Sequence, residues 1–263
     1  MDGRLPAIDA WIDAVIDRHT GSLTPAEFLK AVRALSARYV ERRADLPVRS
    51  PLDSDGKRAA FAGFFALLHF VTVREVIAAV GAADRPISSV LDLGCGTGVG
   101  GAAWALAFGD TAHQPDVMGV DTMGWVLAEA RWNWQMLGLR SRTRRLSLVD
   151  ALSAAASAPA GRGSTGILLA WSANELSESD RRRILPLLLA AHARGSRVLV
   201  LEPIARSAAP WWDTWAHAAR QAGGMVNDWK IPPKLPARLA ALDHAAGFRR
   251  DHLSARSIWL PGA

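Results

Sequence analysis

The segment Val90-Leu91-Asp92-Leu93-Gly94-Cys95-Gly96-Thr97-Gly98 restricts the possible folds more than any other part of the chain. A short apolar run meets three glycines at alternate positions, and residues 99–108 then have the small, apolar composition of a helix. Glycine is needed in such a turn because the backbone must reverse tightly and pass close to a ligand, where a Cβ would collide. The helix N-terminus that follows adds unpaired N–H groups facing the same space.

The rest of the chain extends this unit. From residue 87 onward, apolar runs at 88–93, 117–120, 146–149, 166–171 and 197–201 alternate with segments of helical composition. That alternation predicts parallel strands joined by right-handed crossovers, with helices on both faces. After Pro236 comes a further helix, then two strand-like pieces at 249–253 and 257–260 that can pair antiparallel at the sheet edge. Residues 151–164 read as a small-residue loop with at most one helical turn.

The first 85 residues read as helices. Ile8, Trp11, Ile12, Val15 and Ile16 form one apolar stripe at helical spacing. Thr24-Pro25-Ala26-Glu27 supplies a cap, a first-turn proline and a capping-box glutamate for a helix running towards Arg43. Pro47 and Pro51 interrupt the pattern, and a longer helix spans about 56–80, with aromatics at 61, 64, 65 and 70 read as core. The expected class is therefore α/β: a Rossmann-like, doubly wound seven-stranded sheet, last strand antiparallel, with an N-terminal helical extension. Residues 1–85 form the helical cap in this reading and 86–263 the nucleotide-binding domain.

Composition narrows the function. With 263 residues, half of them hydrophobic, the chain can bury one large core. The apolar stretch 59–73 falls short of the roughly 20 residues of a bilayer span, so it reads as a buried helix and no membrane partner is expected. The acidic, amphipathic N-terminus is unlike a secretory signal, which places the protein in the cytoplasm. Cys95, the only cysteine, excludes an internal disulfide and reads as a packing residue in the turn. The seven histidines form no ligand motif, so no metal is expected. A net charge of +6, with 27 arginines among 31 basic side chains, permits an acidic partner such as RNA. The densest run, Arg140, Arg142, Arg144 and Arg145, precedes the expected third strand. It would therefore lie away from the crevice, leaving no basic patch at the active-site edge.

Strand ends carry the chemistry. Asp121 closes the second strand, where a carboxylate can accept both hydroxyl protons of a ribose. A dinucleotide fingerprint counted from Gly94 fails at Val99. Counted from Gly96 it fits Gly98 and Gly101, but starts too far from the strand, and Asp92 would repel a pyrophosphate. A nicotinamide oxidoreductase thus stands as an alternative. Leu169-Ala170-Trp171-Ser172-Ala173-Asn174-Glu175 ends the fourth strand and should face the crevice. Asn174 and Glu175 are its candidates for orienting or deprotonating an acceptor, while Ser177 and Asp180 beyond them cap the next helix. Glu202-Pro203 is another possible wall; Trp211, Trp212 and Trp215 clamp a planar substrate or, in the preferred reading, pack a helix on the sheet.

Asp92, Gly94, Gly96 and Gly98 match without a gap the acidic-x-Gly-x-Gly-x-Gly motif of class I methyltransferases, which the chain resembles over residues 86–263. The resemblance implies S-adenosyl-L-methionine as cofactor and S-adenosyl-L-homocysteine as product. Gly94, Cys95, Gly96 and Gly98 would cradle the methionine part, with Asp92 at its amino group. Asp121 would hold the ribose, Thr122 and Met123 would lie beside the adenine, and Asp150 with Ala151 would reach the adenine from the end of the third strand. Trp171 would face the sulfonium. The Asn-Pro-Pro-Tyr motif of enzymes that methylate base or glutamine amines is missing, and small-molecule, RNA and protein acceptors all stay open. The helices before residue 85 would cover the crevice and select the acceptor. Trp104, Asn174-Glu175-Leu176-Ser177 with Arg181-Arg182-Arg183, and Val198-Leu199-Val200-Leu201-Glu202-Pro203 are also similar to the methyltransferase-like family associated with assembly of the small mitochondrial ribosomal subunit. That likeness keeps a non-catalytic, RNA-associated role as a second alternative, although the cysteine cluster usual in that family is missing.

Overall fold

The computed structural model describes residues 8–41, 52–109, 113–157 and 164–262. Helix α1 (Ile8–Thr20) buries the predicted stripe of Trp11, Ile12, Val15 and Ile16. Helix α2 (Pro25–Glu41) starts on the expected capping box: Thr24 N–H donates to Glu27 Oε2 at 2.8 Å, and Glu27 N–H donates to Thr24 Oγ1 at 3.3 Å. Such a cap stabilises a helix by about 1 kcal/mol. The predicted break at Pro47 and Pro51 lies outside the described residues. One continuous helix then runs through α3 (Asp55–Ala60), a single π-helical turn (Phe61–Phe65) and α4 (Ala66–Ala79). Its 25 residues are long and apolar enough to cross a bilayer, yet 72 % of its most apolar window is buried inside the protein.

The sheet has seven strands in the order β3-β2-β1-β4-β5-β7-β6. They are β1 (Ser89–Leu93), β2 (Asp116–Asp121), β3 (Ser141–Arg145), β4 (Thr165–Ala170), β5 (Arg197–Glu202), β6 (Met225–Ile231) and β7 (Leu253–Leu260). The first five are parallel, and β7 runs antiparallel to both β5 and β6. Strand order reverses between β1 and β4, the switch point outside whose carboxyl ends open α/β sheets bind their ligands. Helices α5 (Val99–Leu106), α6 (Gly124–Met136), α7 (Leu148–Ser157), α8 (Glu178–Ala193), α9 (Trp212–Gln221) and α10 (Ala237–Ala245) complete the fold. The helices of the first 80 residues share one hydrophobic core with α5, α6 and one face of the sheet. Helices α7, α8 and α9 cover the opposite face.

Four expectations require correction. The third strand is not the apolar run 146–149 but the preceding Ser141–Arg145, and Leu148 and Val149 begin α7. As an edge strand, β3 needs little apolar surface, and its arginines discourage pairing with another chain. The predicted loop 151–164 is accordingly helical as far as Ser157, and residues 158–163 lie outside the described residues. The arginine run is therefore the strand itself, and Arg145 reaches the carboxyl end of the sheet, donating from Nε to the Thr122 carbonyl at 2.8 Å. At the other edge, the two predicted pieces after residue 249 form a single strand, β7, whose antiparallel edge partner is β6, a segment with no expected strand. Trp212 and Trp215 are buried against the sheet, as the packing reading expected.

Candidate functional site

The loop after β1 is held by β2. The N–H groups of Gly94 and Cys95 both donate to the Val120 carbonyl, at 2.8 and 2.9 Å, and Gly98 N–H closes the turn on the Cys95 carbonyl at 2.7 Å. All three glycines have positive φ, at +72° for Gly94, +52° for Gly96 and +80° for Gly98, where other residues are strained. Their surroundings differ. A Cβ on Gly94 would run into the Ser172 side chain, and one on Gly98 would lie 2.7 Å from the Trp134 ring. Over Gly96 the nearest atom is Phe61 Cζ, at 4.0 Å. Two of the three glycines are thus required by the protein's own packing, and only Gly96 has room for a Cβ, with Phe61 Cζ at ordinary contact distance.

A buried polar relay fixes this loop from behind. Trp134 Nε1 donates to the Gly98 carbonyl at 2.7 Å and Asn133 Nδ2 to the Thr97 carbonyl at 2.9 Å. Asn133 Oδ1 in turn accepts from Trp11 Nε1 at 2.9 Å, so α1 is tied through α6 to the glycine turn. Arg18 and His19 at the end of α1 add ion pairs to Glu129 of α6.

The predicted acids separate into different roles. Asp121 stands at the end of β2, where its Oδ2 accepts from Gly96 N–H at 3.1 Å and its Oδ1 from Met123 N–H at 2.9 Å. Those bonds fix the carboxylate beside Gly96, and each oxygen keeps a further lone pair. Asp92 is buried, and its Oδ2 accepts from Gly101 N–H of α5 at 2.8 Å. Burial pushes its carboxyl up to about 7 against the effect of that hydrogen bond, and the Asp121 charge adds to the rise. Asp150 does not close a strand: it lies in the first turn of α7, its N–H accepted by Ser147 Oγ at 3.1 Å and its Oδ2 accepting from Ser147 Oγ at 2.7 Å. Its carboxylate is exposed and serves a capping box, while neighbouring Ala151 is buried in the same turn. The Cys95 thiol is buried, and its pKa is raised by that burial and by Asp92 and Asp121, which suits a packing residue.

The end of β4 forms the facing wall. Trp171 adopts φ +55°, rare for a large side chain, and its N–H donates to the Leu201 carbonyl at 2.8 Å. Ser172 is buried and donates to the Leu93 carbonyl at 2.8 Å. A short 3₁₀ turn, Ala173–Glu175, follows; the N–H groups of Ala173 and Asn174 both donate to Glu202 Oε1, at 3.0 and 3.1 Å. Glu202 is therefore a fully buried anchor beneath the turn rather than a wall of the crevice. Asn174 Oδ1 is buried without a hydrogen-bond partner. Glu175 is exposed to solvent at its surface, yet protein packed around its carboxyl, with the nearby Asp121 charge, pushes it up to about 7.

Sequence reasoning missed two residues here. Phe61, in the π-helical turn, is the side chain over Gly96, and His69 of α4 lies flat on Trp171, with ring centroids 4.0 Å apart and planes 8° apart. Both sit in a segment that reads as uniform core, and no local pattern marks them.

No family model matches the chain, and no curated protein does. Solved structures do. An O-methyltransferase family protein from Burkholderia thailandensis aligns with a TM-score of 0.51 and 16 % identity, over 97 % of this chain and 71 % of that one. The plantazolicin methyltransferase BpumL, in complex with S-adenosylhomocysteine and a monoazolic desmethylPZN analog, aligns at 0.50 and 10 % identity over 96 % and 99 %. Its complex with a triazolic analog gives 0.50 and 11 % over 89 % and 97 %. The chain thus has the Rossmann-like fold of class I S-adenosylmethionine-dependent methyltransferases.

Proposed function

We propose that this chain is an S-adenosylmethionine-dependent methyltransferase, transferring a methyl group in line to a nucleophilic acceptor. The observation that carries the reading is the pairing of Gly96 with Asp121: left-handed backbone that no side chain crowds closer than Phe61 at 4.0 Å, bonded directly to the carboxylate that ends β2. A flat ligand that must touch backbone and present a ribose diol finds both requirements there. Gly94, Cys95, Gly96 and Gly98 would border the aminoacyl part, Asp121 would receive the ribose hydroxyls, and Thr122 and Met123 would flank the adenine. Ala151 and the capping residue Asp150 would lie at the adenine's far edge, and Trp171 beside the sulfur.

When bound, the cofactor would supply a methyl already made electrophilic by positive sulfur. The protein's task is then alignment and exclusion of water, which can account for much of the acceleration. Asn174 and Glu175, in the turn that follows β4, would lie on the acceptor side, and Glu175, near neutrality, could take up a proton released there. The Asp121 carboxylate beside the glycine turn favours a cationic ligand and disfavours the pyrophosphate of a nicotinamide nucleotide.

Calorimetry with S-adenosylhomocysteine tests this. The wild type should bind one equivalent, and Asp121→Ala should bind at least about tenfold more weakly, since a hydrogen bond to a charged acceptor contributes about 1.5–3 kcal/mol. No heat and no thermal shift with the wild type, or binding of NADH in its place, would refute the proposal.

A further inference from the structure

The wall facing Gly96 comes from the N-terminal helices. Phe61 reaches over Gly96 from the π-helical turn, meets the His69 ring edge-on at 6.3 Å between centroids, and His69 covers the face of Trp171. π-Turns within helices and non-glycine residues at positive φ both cluster at functional sites, and here the two deviations meet through one stacked pair. Neither ring nitrogen of His69 hydrogen-bonds another described residue, and neither is sealed from solvent. Burial alone lowers its pKa to about 4, so the ring is neutral at pH 7. A half-buried imidazole clamped flat at the end of β4, with both ring nitrogens still open, keeps one donor and one acceptor available to a bound molecule.

We infer that His69 is a catalytic residue of the acceptor side, the group that hydrogen-bonds the acceptor's O–H or N–H and takes its proton as the methyl arrives. The inference rests on the methyltransferase reading above and makes His69 the first receiver of the acceptor's proton. The charge balance supports it. The acceptor's lone pair forms the new bond to carbon, the carbon–sulfur pair stays with sulfur, and the released proton moves to His69. One positive charge leaves sulfur as one appears on the imidazole, so the net charge of the site is unchanged by the transfer. The implied acceptor is a neutral hydroxyl or amine rather than a carboxylate, which has no proton to surrender.

Histidine-selective ¹⁵N NMR on the full chain at pH 7 tests this, with the His69 signals identified by their loss in His69→Gln. Saturation with S-adenosylhomocysteine should shift the His69 ring resonances, and S-adenosylmethionine should shift them differently, because only the second ligand carries charge at sulfur. His69→Gln should keep its affinity for S-adenosylhomocysteine within about threefold, as an acceptor-side residue does. Identical His69 signals in the two complexes, or a loss of affinity beyond tenfold, would overturn the inference while leaving the methyltransferase reading intact. Failure of the wild type to bind either nucleoside would overturn both.

Discussion

Replacing Gly96 and Gly98 separately by alanine distinguishes a backbone position kept bare for a ligand from one kept bare for packing. Both have positive φ, so either alanine incurs about 1 kcal/mol of backbone strain. At Gly96 nothing more is added, because the new methyl's nearest neighbour is Phe61 Cζ at 4.0 Å, an ordinary contact. At Gly98 the methyl would sit 2.7 Å from the Trp134 ring, which also donates to the Gly98 carbonyl, and overpacking adds about 1–3 kcal/mol. For a chain of this size 1 kcal/mol shifts the melting temperature by about 2–4 °C. Gly96→Ala should therefore melt about 2–4 °C below wild type, and Gly98→Ala about 4–16 °C below it. Binding should follow the opposite order. The Gly96 methyl occupies space assigned to the cofactor, and a clash of about 3 kcal/mol weakens S-adenosylhomocysteine roughly 100-fold by calorimetry. A Gly96→Ala protein that binds like wild type would refute the cradle, and equal melting temperatures for the two variants would refute the packing account.

Other consequences follow from the same contacts. Trp11→Phe removes the N–H that satisfies Asn133 and leaves a buried acceptor unpaired, which should cost roughly 2–3 kcal/mol and lower the melting temperature by about 4–12 °C. A wild-type melting temperature in this variant would mean that the relay from α1 to the glycine turn contributes nothing. Glu175 has its carboxyl raised from 4.5 to about 7, so its protonated form suits the fold; the stability it supports is complete below about pH 4.5 and is lost as pH rises through 7. Glu175→Gln should accordingly match wild type at pH 4 and melt above it at pH 8, and the reverse order would contradict the environment described. Glu129, by contrast, has its carboxyl lowered to about 2 because the hydrogen bonds and charges of His19 and Arg18 outweigh its burial. The clamp between α1 and α6 should hold above about pH 4.5 and loosen as pH falls towards 2, and Glu129→Gln should remove that dependence from acid melts.

Much of the fold is legible where local chemistry is strong. The strand that stops at Asp92-Leu93 and turns on alternating glycines, the Thr24–Glu27 box and the Ser177 cap each satisfy backbone groups within a few residues, so their signals sit in short windows. The edges of the sheet are less readable. Ser141–Arg145 and Met225–Ile231 are exposed enough to dispense with apolar runs, whereas Leu146–Val149 has an apolar run and mostly serves to start a helix. This shift also takes Asp150 from a strand end to a helix cap. In the candidate site, Asp121 and the segment from Trp171 to Glu175 are visible as strand ends. Phe61, His69 and the Trp11–Asn133–Thr97 relay are not, because each depends on a partner far along the chain, up to 122 residues away, that only folding brings near.

A crystal structure with S-adenosylhomocysteine bound measures directly where the cofactor sits. It should show the ribose hydroxyls within hydrogen-bond distance of Asp121, the aminoacyl chain over Gly96 and the sulfur turned towards Trp171. The nucleoside lodged elsewhere, or Phe61 in contact with Gly96 where the aminoacyl chain should lie, would contradict it.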